Sequence, residues 1–386
     1  MVLINAQIYT MGPLGFIKNG FVKINGNIIE NVGKMEELDI ENEQVVDMKG
    51  KYLYPGFIDA HTHLGMVEDG LTFEGDDINE AVDPVTPNLR AIDAINPMDR
   101  CFSEALSAGV TTVITGPGSS NPIAGQMVAI KTYGTRIDNM IIKDPVSMKF
   151  SLGENPKNTF SEKSQSPSTR MAVAALIREQ LSKARKYLLD KNEFFNDPDE
   201  NEEPEFDAKN EALIPLLKRE IPAHFHAHRS DDIFTAIRIA KEFNLDYVII
   251  HCTEGHLIAD ELKRENTKVF SGPFLSDRSK PELVNLTPKT PGVLAKKGVK
   301  ASIVTDHPVT PIQYLPVCAS LAVREGMDAY EALKSITINA AEIAGIDNRV
   351  GSIEPMKDAD ILVFEHDALD FRSKPVEVFF EGKKII

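Results

Sequence analysis

The stretch FIDAHTH, residues 57–63, decides the fold. It opens as a short apolar run and ends in two histidines, His61 and His63, separated by one residue. Alternate side chains of a strand project to the same side, so both imidazoles can bind one ion. Because the strand precedes the pair and a loop follows it, the pair should lie at the carboxyl end of a strand. Barrels of alternating strands and helices form their sites at that end.

From Phe57 onward, apolar runs alternate with amphipathic stretches, the pattern of repeated βα units around a parallel sheet. The runs predict eight strands, at residues 57–61, 110–115, 126–134, 145–150, 221–228, 247–251, 268–272 and 300–306. Eight parallel strands with intervening helices predict an α/β fold of the TIM (β/α)8 barrel type.

Both ends of the chain are rich in short strands and turns, with Asn-Gly and Lys-Gly supplying turn chemistry near the start. Such strands bury their apolar faces most simply in one small β-sandwich built from both termini. The sequence therefore predicts sandwich segments at residues 1–55 and 353–386, with the barrel inserted at residues 56–352.

Composition and charge argue against several classes of partner and cellular location. The 386 residues carry 42 Lys and Arg against 58 Asp and Glu, a formal charge of −16, which argues against a nucleic-acid partner. The three cysteines show no pairing pattern and indicate a reducing compartment. The sequence also shows no signal peptide and no apolar run of about 18 residues. We expect a soluble, cytoplasmic protein with a small-molecule substrate and no membrane partner.

Two acidic segments interrupt the βα pattern. Residues 192–211 are dense in acidic and poor in apolar residues, which predicts a solvated loop. Residues 66–90 directly follow the first barrel strand and are rich in turn residues, so we expect them at the catalytic rim as a lid or substrate wall.

Eight of the nine histidines fall into four groups at strand ends. The groups are His61 and His63; His224, His226 and His228; His251 and His256; and His307. The last predicted strand ends at a carboxylate, Asp306. Imidazole nitrogens with a carboxylate suit zinc, and also manganese or iron.

PGFIDAHTH at residues 55–63, the strand-end His251 and Asp306, and TINAAEIAGIDNRVGSIEPMKDADILVFE at residues 337–365 resemble the amidohydrolase superfamily. The similarity is to its imidazolonepropionase-like and prolidase-like members and covers nearly the whole chain. It implies a distorted (β/α)8 barrel with one or two divalent metals that hydrolyses amide or ester bonds. It also implies the composite sandwich of the termini. Relatives commonly form homo-oligomers, for which this sequence carries no interface signature.

The resemblance implies metal ligands one residue at a time. His61 and His63 match the first-strand pair that binds the more buried metal, and His251 matches the sixth-strand ligand of the outer metal. Asp306 matches the eighth-strand carboxylate. On the fifth strand three histidines compete, and the His-Ala-His pattern favours His226 as the ligand. His228 would then face the substrate, and His224 would be a buried strand residue.

The fourth strand decides the metal count. Two cations a few ångström apart need a bridging anion, which in binuclear relatives is a lysine carboxylated by carbon dioxide or a glutamate. Lys149 at the strand end resembles that lysine and is preferred, while Glu154 beyond a glycine is the rival. A centre with one metal and an ordinary Lys149 is the remaining alternative. The preferred cofactor is two zinc ions bridged by a carboxylated Lys149, with manganese or iron as alternatives.

The expected mechanism depends on the charge of the two metal ions. Water between two divalent ions loses its proton near neutral pH, so metal-bound hydroxide is the expected nucleophile. Asp306 would act as general base and then general acid, and His228 would polarise the substrate carbonyl. Asp59 is a candidate partner that orients these groups.

Substrate contacts are predicted at three positions. Asn121 lies in the Gly- and Pro-rich loop after the second strand. Arg229 follows the fifth-strand histidines, where it can pair with a substrate carboxylate or form a surface salt bridge. His256, five residues beyond His251, can line the pocket.

The expected function is hydrolysis of a C–N bond in a small amide, cyclic amide, N-acyl amino acid or dipeptide. A mononuclear deaminase of the same superfamily is one alternative, although such enzymes commonly carry a glutamate where His228 stands here. A barrel without catalysis, serving in binding or assembly, is the other. The amidohydrolase reading is preferred because every expected ligand position holds a suitable residue.

Overall fold

Strands alternate with helices through the middle of the chain and stand alone towards both ends. The structure is a computed structural model that describes residues 1–39, 43–69 and 72–386. The strands near the two ends are β1 (Val2–Tyr9), β2 (Phe16–Asn25), β3 (Ile28–Lys34), β4 (Val45–Asp47), β5 (Tyr52–Pro55), β14 (Ile361–Phe364), β15 (Glu377–Phe380) and β16 (Lys383–Lys384). The strands between them are β6 (Phe57–Thr62), β7 (Val110–Thr115), β8 (Ile123–Lys131), β9 (Ile141–Ser151), β10 (Ala223–Ala227), β11 (Tyr247–His251), β12 (Lys268–Ser271) and β13 (Ala301–Ile303).

The helices lie between Arg100 and Ala344. They are α1 (Arg100–Ser107), α2 (Glu154–Ser161), α3 (Arg170–Asn196), α4 (Ala208–Ala212), α5 (Ile214–Leu217), α6 (Ser230–Phe243), α7 (Ala259–Arg264), α8 (Thr290–Lys296), α9 (Leu315–Arg324), α10 (Ala329–Ser335) and α11 (Ile338–Ala344). None of the helices within the described ranges has both the length and the apolar character that crossing a membrane requires.

Strands β6 to β13 form one sheet in chain order. Helices follow most of these strands, so the sheet has the order of a (β/α)8 barrel that is nearly closed. The prediction of an α/β fold with a distorted TIM barrel is confirmed at this level.

The direction of one barrel strand was predicted wrongly. Strand β8 runs antiparallel to both neighbours, with Thr112 opposite Lys131 and Gln126 opposite Met148, whereas eight parallel strands were predicted. The connections at residues 116–122 and 132–140 explain the difference. A parallel crossover needs about a dozen residues or more, so connections this short allow only a hairpin-like return.

Side chains of the barrel strands alternate between two buried environments. Phe150 on β9 and Phe225 on β10 point outwards, with ring centroids 4.9 Å apart, and belong to the apolar cluster that includes residues of α3 and α6. The alternate positions Lys149 and His224 pair across the same two strands and face the interior. The fifth-strand histidines therefore share the inner face, as the sequence pattern predicts.

The first and last barrel strands are joined mainly by bonds beyond the regular ladder. The sheet path ends at β6 and β13 without a described ladder between them. Asp306 N–H donates to His61 O at 3.1 Å. The buried Asp59 carboxylate accepts from Thr305 N–H, with Oδ2 at 3.2 Å, and from the Thr305 hydroxyl. Asp59 thus contributes to barrel closure directly below the predicted ligands.

The two ends of the chain pair in a second sheet, of order β16-β15-β14-β5-β1-β2-β3, with β4 beside β1. The link between the ends is the antiparallel pair β5 and β14, in which Leu53 lies opposite Val363. A shared terminal sheet is therefore present. The two-layer sandwich and the boundaries at residues 1–55, 56–352 and 353–386 stay predictions.

The acidic segment at residues 192–211 was predicted as a loop, and this is wrong at both ends. Helix α3 continues to Asn196 and α4 starts at Ala208, which leaves residues 197–207 irregular. Glu211 accepts hydrogen bonds from Tyr187 at 3.0 Å and from Lys191 at 2.8 Å, so the segment returns to α3. Helical spacing and these hydrogen bonds favour helix at both ends of the segment, despite its acidic composition.

The segment at residues 66–90 is mostly irregular where it is described, and residues 70 and 71 lie outside the described part. It lines a cavity of about 770 Å³ together with Pro117 from the loop before β8 and Ala124 from β8 itself. Its predicted role as a lid or substrate wall is untested. The three cysteines, Cys101, Cys252 and Cys318, are free and buried.

A buried ion cluster connects barrel strand β8 to the terminal sheet. Lys131 Nζ lies 2.8 Å from Asp358 Oδ2 and also contacts Asp360. Arg349 binds the same Asp358 oxygen at 2.8 Å. Removing one member of a buried pair leaves a charge without its partner, which typically costs about 3–5 kcal/mol.

We therefore predict that Lys131→Met lowers the free energy of unfolding by about 3 kcal/mol or more. The measurement is urea unfolding at pH 7. Lys183→Met is the control, because Lys183 forms only an exposed pair with Glu179 on α3 and should change stability by less than about 0.5 kcal/mol. Equal stability losses in the two variants would contradict the prediction.

The same cluster predicts a pH dependence. Burial lowers the pKa of Lys131, but Asp360 and Asp358 outweigh burial and raise it above the ordinary value of 10.5. Its stabilising contribution is therefore complete below pH 10.5 and lost as the pH rises through the higher folded-state pKa. We expect the stability difference between wild type and Lys131→Met to shrink above pH 10.5 in unfolding experiments at stepped pH.

Candidate metal centre

Polar side chains from five barrel strands meet at the carboxyl end of the barrel. They are His61 from β6 and His63 directly after it, Lys149 from β9, His226 and His228 from β10 and the segment after it, His251 from β11, and Asp306 from the segment after β13. All except Asp306 are buried. The structure therefore brings together every side chain that the sequence proposed as a metal ligand.

Asp306 and His61 form the first part of the centre. Asp306 Oδ1 lies 3.3 Å from His61 Nε2 and 3.4 Å from His63 Nε2. Lys149 Nζ lies 3.1 Å from His61 Nε2. The ligand atoms of His61, His251 and Asp306 all lie within 4.8 Å of one another, a spacing that can hold a metal ion.

Three imidazoles form the second part. His226, His228 and His251 offer ligand atoms that lie within 4.8 Å of one another. The rings of His228 and His251 stack with centroids 4.4 Å apart, and His226 meets the edge of His251 at 4.5 Å. Because His251 belongs to both groups, the two positions for a cation adjoin each other.

Hydrogen bonds at Nδ1 orient several of these rings. The pairs are His63 Nδ1 with Gly116 O at 2.7 Å, His228 Nδ1 with Thr253 Oγ1 at 2.7 Å, and His251 Nδ1 with Gly272 O at 2.8 Å. Each bond leaves Nε2 directed at the centre, which is the usual arrangement of metal-binding histidines.

The backbone turns sharply where two of the ligands leave their strands. His251 has φ 69° and Asp306 has φ 54°, both in the left-handed region that non-glycine residues rarely adopt. Such a conformation costs of the order of 1–3 kcal/mol and occurs often at functional sites. The turns direct the side chains of strand-end residues into the centre.

Burial sets the charge states. It is the main cause that lowers the pKa of His226 and His228 far below the ordinary value, and it lowers the pKa of His251 to about 4. Burial also lowers the pKa of Lys149 to about 7, against the opposing effect of Asp306. For Asp306, burial raises the pKa, but His251 and the neighbouring imidazoles outweigh it and hold the pKa well below its usual range. The centre thus offers neutral imidazoles and an ionised carboxylate at neutral pH.

Unpaired polar atoms show that the donor set suits a cation. Both ring nitrogens of His226 and Nδ1 of His61 are buried without a hydrogen-bond partner among the described residues. An unpaired buried polar atom costs about 1–3 kcal/mol. Nitrogen donors with one carboxylate match the ligand sets of zinc, manganese and iron. The residues therefore fit divalent metal ions.

The two candidates on the fourth strand have different positions. Lys149 reaches His61 inside the barrel, whereas Glu154 lies at the start of α2, where its carboxylate accepts a bond of 3.5 Å from Asn158. The geometry thus favours Lys149 over Glu154 as the fourth-strand member of the centre.

His224 and His226 lie on the same strand face, but they have different surroundings. His224 Nδ1 pairs with Ser147 Oγ at 2.9 Å, and its ring meets the edge of Phe270. His224 is therefore held within the barrel interior, one alternation before the ligand group.

The predicted substrate contacts lie in hydrogen-bonded positions. The Asn121 amide donates to Glu80 O at 2.7 Å and Asp83 O at 2.6 Å, so it anchors the segment after the first strand. Substrate contacts by Asn121 and by the other two predicted residues stay predictions. The Arg229 guanidinium binds Asp231, and His256 Nδ1 pairs with Thr290 Oγ1.

Two residues near the centre escaped the sequence reasoning. Glu282, from the segment after β12, is buried, and its Oε1 lies 3.7 Å from His228 Nε2 and 3.9 Å from His226 Nε2. Lys280 Nζ lies 2.7 Å from the same oxygen. The sequence SKPELV around them has no spacing or strand-end signal that could have identified them.

Comparisons with known proteins identify the family of this chain. The sequence profile of the Amidohydrolase family matches residues 52–385. The Amidohydrolase tasK of Hapsidospora irregularis is 27% identical over 94% of this chain, which spans 39% of that protein. A 5-methylthioadenosine/S-adenosylhomocysteine deaminase of Thermoanaerobacter pseudethanolicus is 24% identical over 92% of this chain and 82% of its own length. An imidazolonepropionase of Geobacillus kaustophilus is 26% identical over 92% of this chain and 85% of its own length.

The solved structure of an amidohydrolase from Thermotoga maritima MSB8 has a TM-score of 0.94 and 40% sequence identity, and the match covers 100% of this chain and 99% of that one. The matched family and these named relatives support a hydrolase that acts on C–N bonds. The chain belongs to the amidohydrolase family.

We predict that His226→Asn lowers the affinity for divalent metal at least about tenfold, because it removes a ligand of the centre. His224→Asn is the matched control on the same strand face and should keep the wild-type metal content. Metal analysis after dialysis measures both, with thermal unfolding as a check of the fold. Loss of metal from His224→Asn but not from His226→Asn would instead identify His224 as the ligand and His226 as the buried strand residue.

Proposed function

We propose that this protein is a metal-dependent hydrolase of a C–N bond in a small amide, cyclic amide, N-acyl amino acid or dipeptide. The convergence of neutral imidazoles, buried Lys149 and ionised Asp306 at the open end of the barrel carries the proposal. The family supports a hydrolase acting on C–N bonds.

In the proposed centre, His61 and His63 would hold the inner cation, His226 and His251 would hold the outer one, and Asp306 would contribute its carboxylate beside the inner pair. Two zinc ions are the proposed cofactor, with manganese or iron as alternatives. When bound, such cations activate water and polarise a carbonyl group. The side chains of the protein hold the ions and transfer the protons.

Lys149 would supply the bridging anion. A neutral amine adds to carbon dioxide through its nitrogen and releases one proton, giving an N-carboxylate with a negative charge. The lowered pKa of Lys149, about 7, provides neutral amine near physiological pH. A negative group beside His61 would offset the repulsion between two cations, which an ammonium would increase.

Asp306 would transfer the proton. Its carboxylate is ionised and faces both first-strand imidazoles, so it can accept a proton from the attacking water and return it to the leaving nitrogen. His228 would orient the substrate carbonyl. If the Thr253 hydroxyl donates to Nδ1, then Nε2 keeps its hydrogen and can donate to the carbonyl oxygen.

The substrate space includes the segment at residues 66–90. This segment lines the cavity of about 770 Å³, a volume within the range of small-molecule pockets, and none of the proposed metal ligands is among the residues that line it. We propose that it forms a wall of the substrate pocket. The partner is then a small molecule rather than a nucleic acid, in keeping with the charge of −16.

A deaminase is the second candidate, since relatives of this chain include proteins named as deaminases. The number of bound cations and the identity of the product distinguish the deaminase from the proposed hydrolase. One cation per chain with release of ammonia from an amino-substituted ring favours the deaminase, and two cations with release of an amine or amino acid favour the proposed hydrolase.

We predict that Asp306→Asn lowers kcat by about 10²–10⁴-fold, because the amide cannot accept the proton. The assay is amine release from a panel of N-acyl amino acids, cyclic amides and dipeptides, with metal content measured in parallel. Asp277→Asn, an exposed carboxylate on the segment after β12, is the control and should keep full activity. An unchanged kcat in Asp306→Asn would contradict the proton-transfer role of Asp306, whereas a wild type without activity on the whole panel would support the noncatalytic binding protein.

We also predict a carbamate on Lys149. Growth or exchange with ¹³C-bicarbonate should give one carbamate carbon signal in the NMR spectrum of the metal-loaded protein. The signal should be absent from Lys149→Met and present in Lys143→Met, a change on the same strand outside the centre. A wild-type protein with two bound cations and no carbamate signal would contradict this assignment.

A further inference from the structure

The segment after the seventh barrel strand returns a carboxylate to the centre. A short helical turn at Pro281–Leu283 holds Glu282, whose side chain is only 1% exposed. Oε1 faces the Nε2 atoms of the two fifth-strand histidines, His226 at 3.9 Å and His228 at 3.7 Å. Glu282 is therefore an acidic group of the site itself, although it follows no predicted ligand position.

These separations match atoms that share a cation. Two ligand atoms bonded to one zinc ion at about 2.1 Å each lie no more than about 4.2 Å apart. The distance from Glu282 Oε1 to Nε2 of His226, the proposed ligand of the outer cation, satisfies this limit. His226 has no hydrogen-bond partner at either ring nitrogen among the described residues. Its Nε2 atom is therefore free to bind a cation, whereas Glu282 Oε1 is paired with the Lys280 ammonium.

The surroundings fix the carboxylate in this orientation. Glu282 Oε2 accepts the backbone N–H of Glu154 at 3.1 Å. Gly153 lies against the same oxygen, where an added Cβ would stand 2.9 Å away, and its φ of +87° also favours glycine. One oxygen is thus tied to the loop after the fourth strand, which leaves the other directed at the imidazoles.

One positive side chain contacts the oxygen that faces the imidazoles. Lys280 Nζ lies 2.7 Å from Glu282 Oε1 and donates to Asn155 Oδ1 at 2.7 Å. The Lys280 side chain is 25% exposed, so its ammonium can stay hydrated after it leaves the carboxylate. A divalent cation and the Lys280 ammonium would then compete for the same oxygen.

We propose that Glu282 is a ligand of the outer cation together with His226, and that Lys280 lowers the affinity of that position by competing for the carboxylate. This inference rests on the proposed metal centre. It adds to that centre an anionic ligand from the seventh-strand segment, which balances part of the charge of two divalent ions.

The test uses the full-length protein, stripped with a chelator and titrated with Mn²⁺, with unbound Mn²⁺ counted by its EPR signal. We expect Glu282→Gln to keep one cation and to weaken the other at least about tenfold. Lys280→Met should tighten the same cation. Glu254→Gln is the matched control, because Glu254 binds Ser230 N–H and Asn285 at the barrel mouth and should leave both affinities unchanged.

The two variants are expected to change the Mn²⁺ affinity in opposite directions. This separates a ligand from a structural residue, since loss of packing would weaken metal binding in both Glu282→Gln and Lys280→Met. Wild-type affinities in Glu282→Gln would overturn the proposal. If Glu282→Gln does not fold, an unchanged or weaker affinity in Lys280→Met would overturn it equally. No uptake of Mn²⁺ by the wild type would contradict the proposed function instead, whereas two tight cations with no effect of Glu282→Gln would contradict this inference alone.

Discussion

Closure of the barrel between its first and last strands is the constraint on which the centre depends. The described sheet has no regular ladder there, and hydrogen bonds beyond the strand ends join the two sides. Asp59 binds Thr305 across the gap, and Asp306 N–H donates to His61 O. The residues that close the barrel are thus the proposed metal ligands or their direct neighbours. A shift of one strand against the other would separate Asp306 from His61, so stability and ligand geometry cannot vary independently here.

Burial of the centre determines its chemistry. In water the imidazoles would titrate near neutral pH, and Lys149 would be an ammonium. Inside the barrel, burial keeps His226 and His251 neutral and brings the pKa of Lys149 to about 7, while Asp306 stays ionised. Neutral nitrogens can bind a cation without first losing a proton, and metal binding need not compete with protonation. The same desolvation that costs folding energy therefore prepares the ligands.

Much of this arrangement could be predicted from the sequence, because the strand-end signals are local. The alternation in FIDAHTH and in HFHAH places the histidines on one face, and His251 ends an apolar run. The direction of β8 was missed because strand composition says nothing about direction, although the short connections on either side do. Glu282 could not be predicted because it reaches the centre from an irregular segment. The left-handed turn at Asp306 could not be predicted either, because its conformation, like the position of Glu282, depends on tertiary packing.

The site contains energetic costs that bound cations could offset. The left-handed backbone at His251 and Asp306 costs of the order of 1–3 kcal/mol each, and the unpaired nitrogens of His226 add a cost of similar size. These costs are comparable to the total stability of an ordinary domain, about 5–15 kcal/mol. Cations that bind the folded state alone offset them by an amount that grows with occupancy. Selection for tight metal binding can therefore retain a strained centre that folding stability alone would not keep.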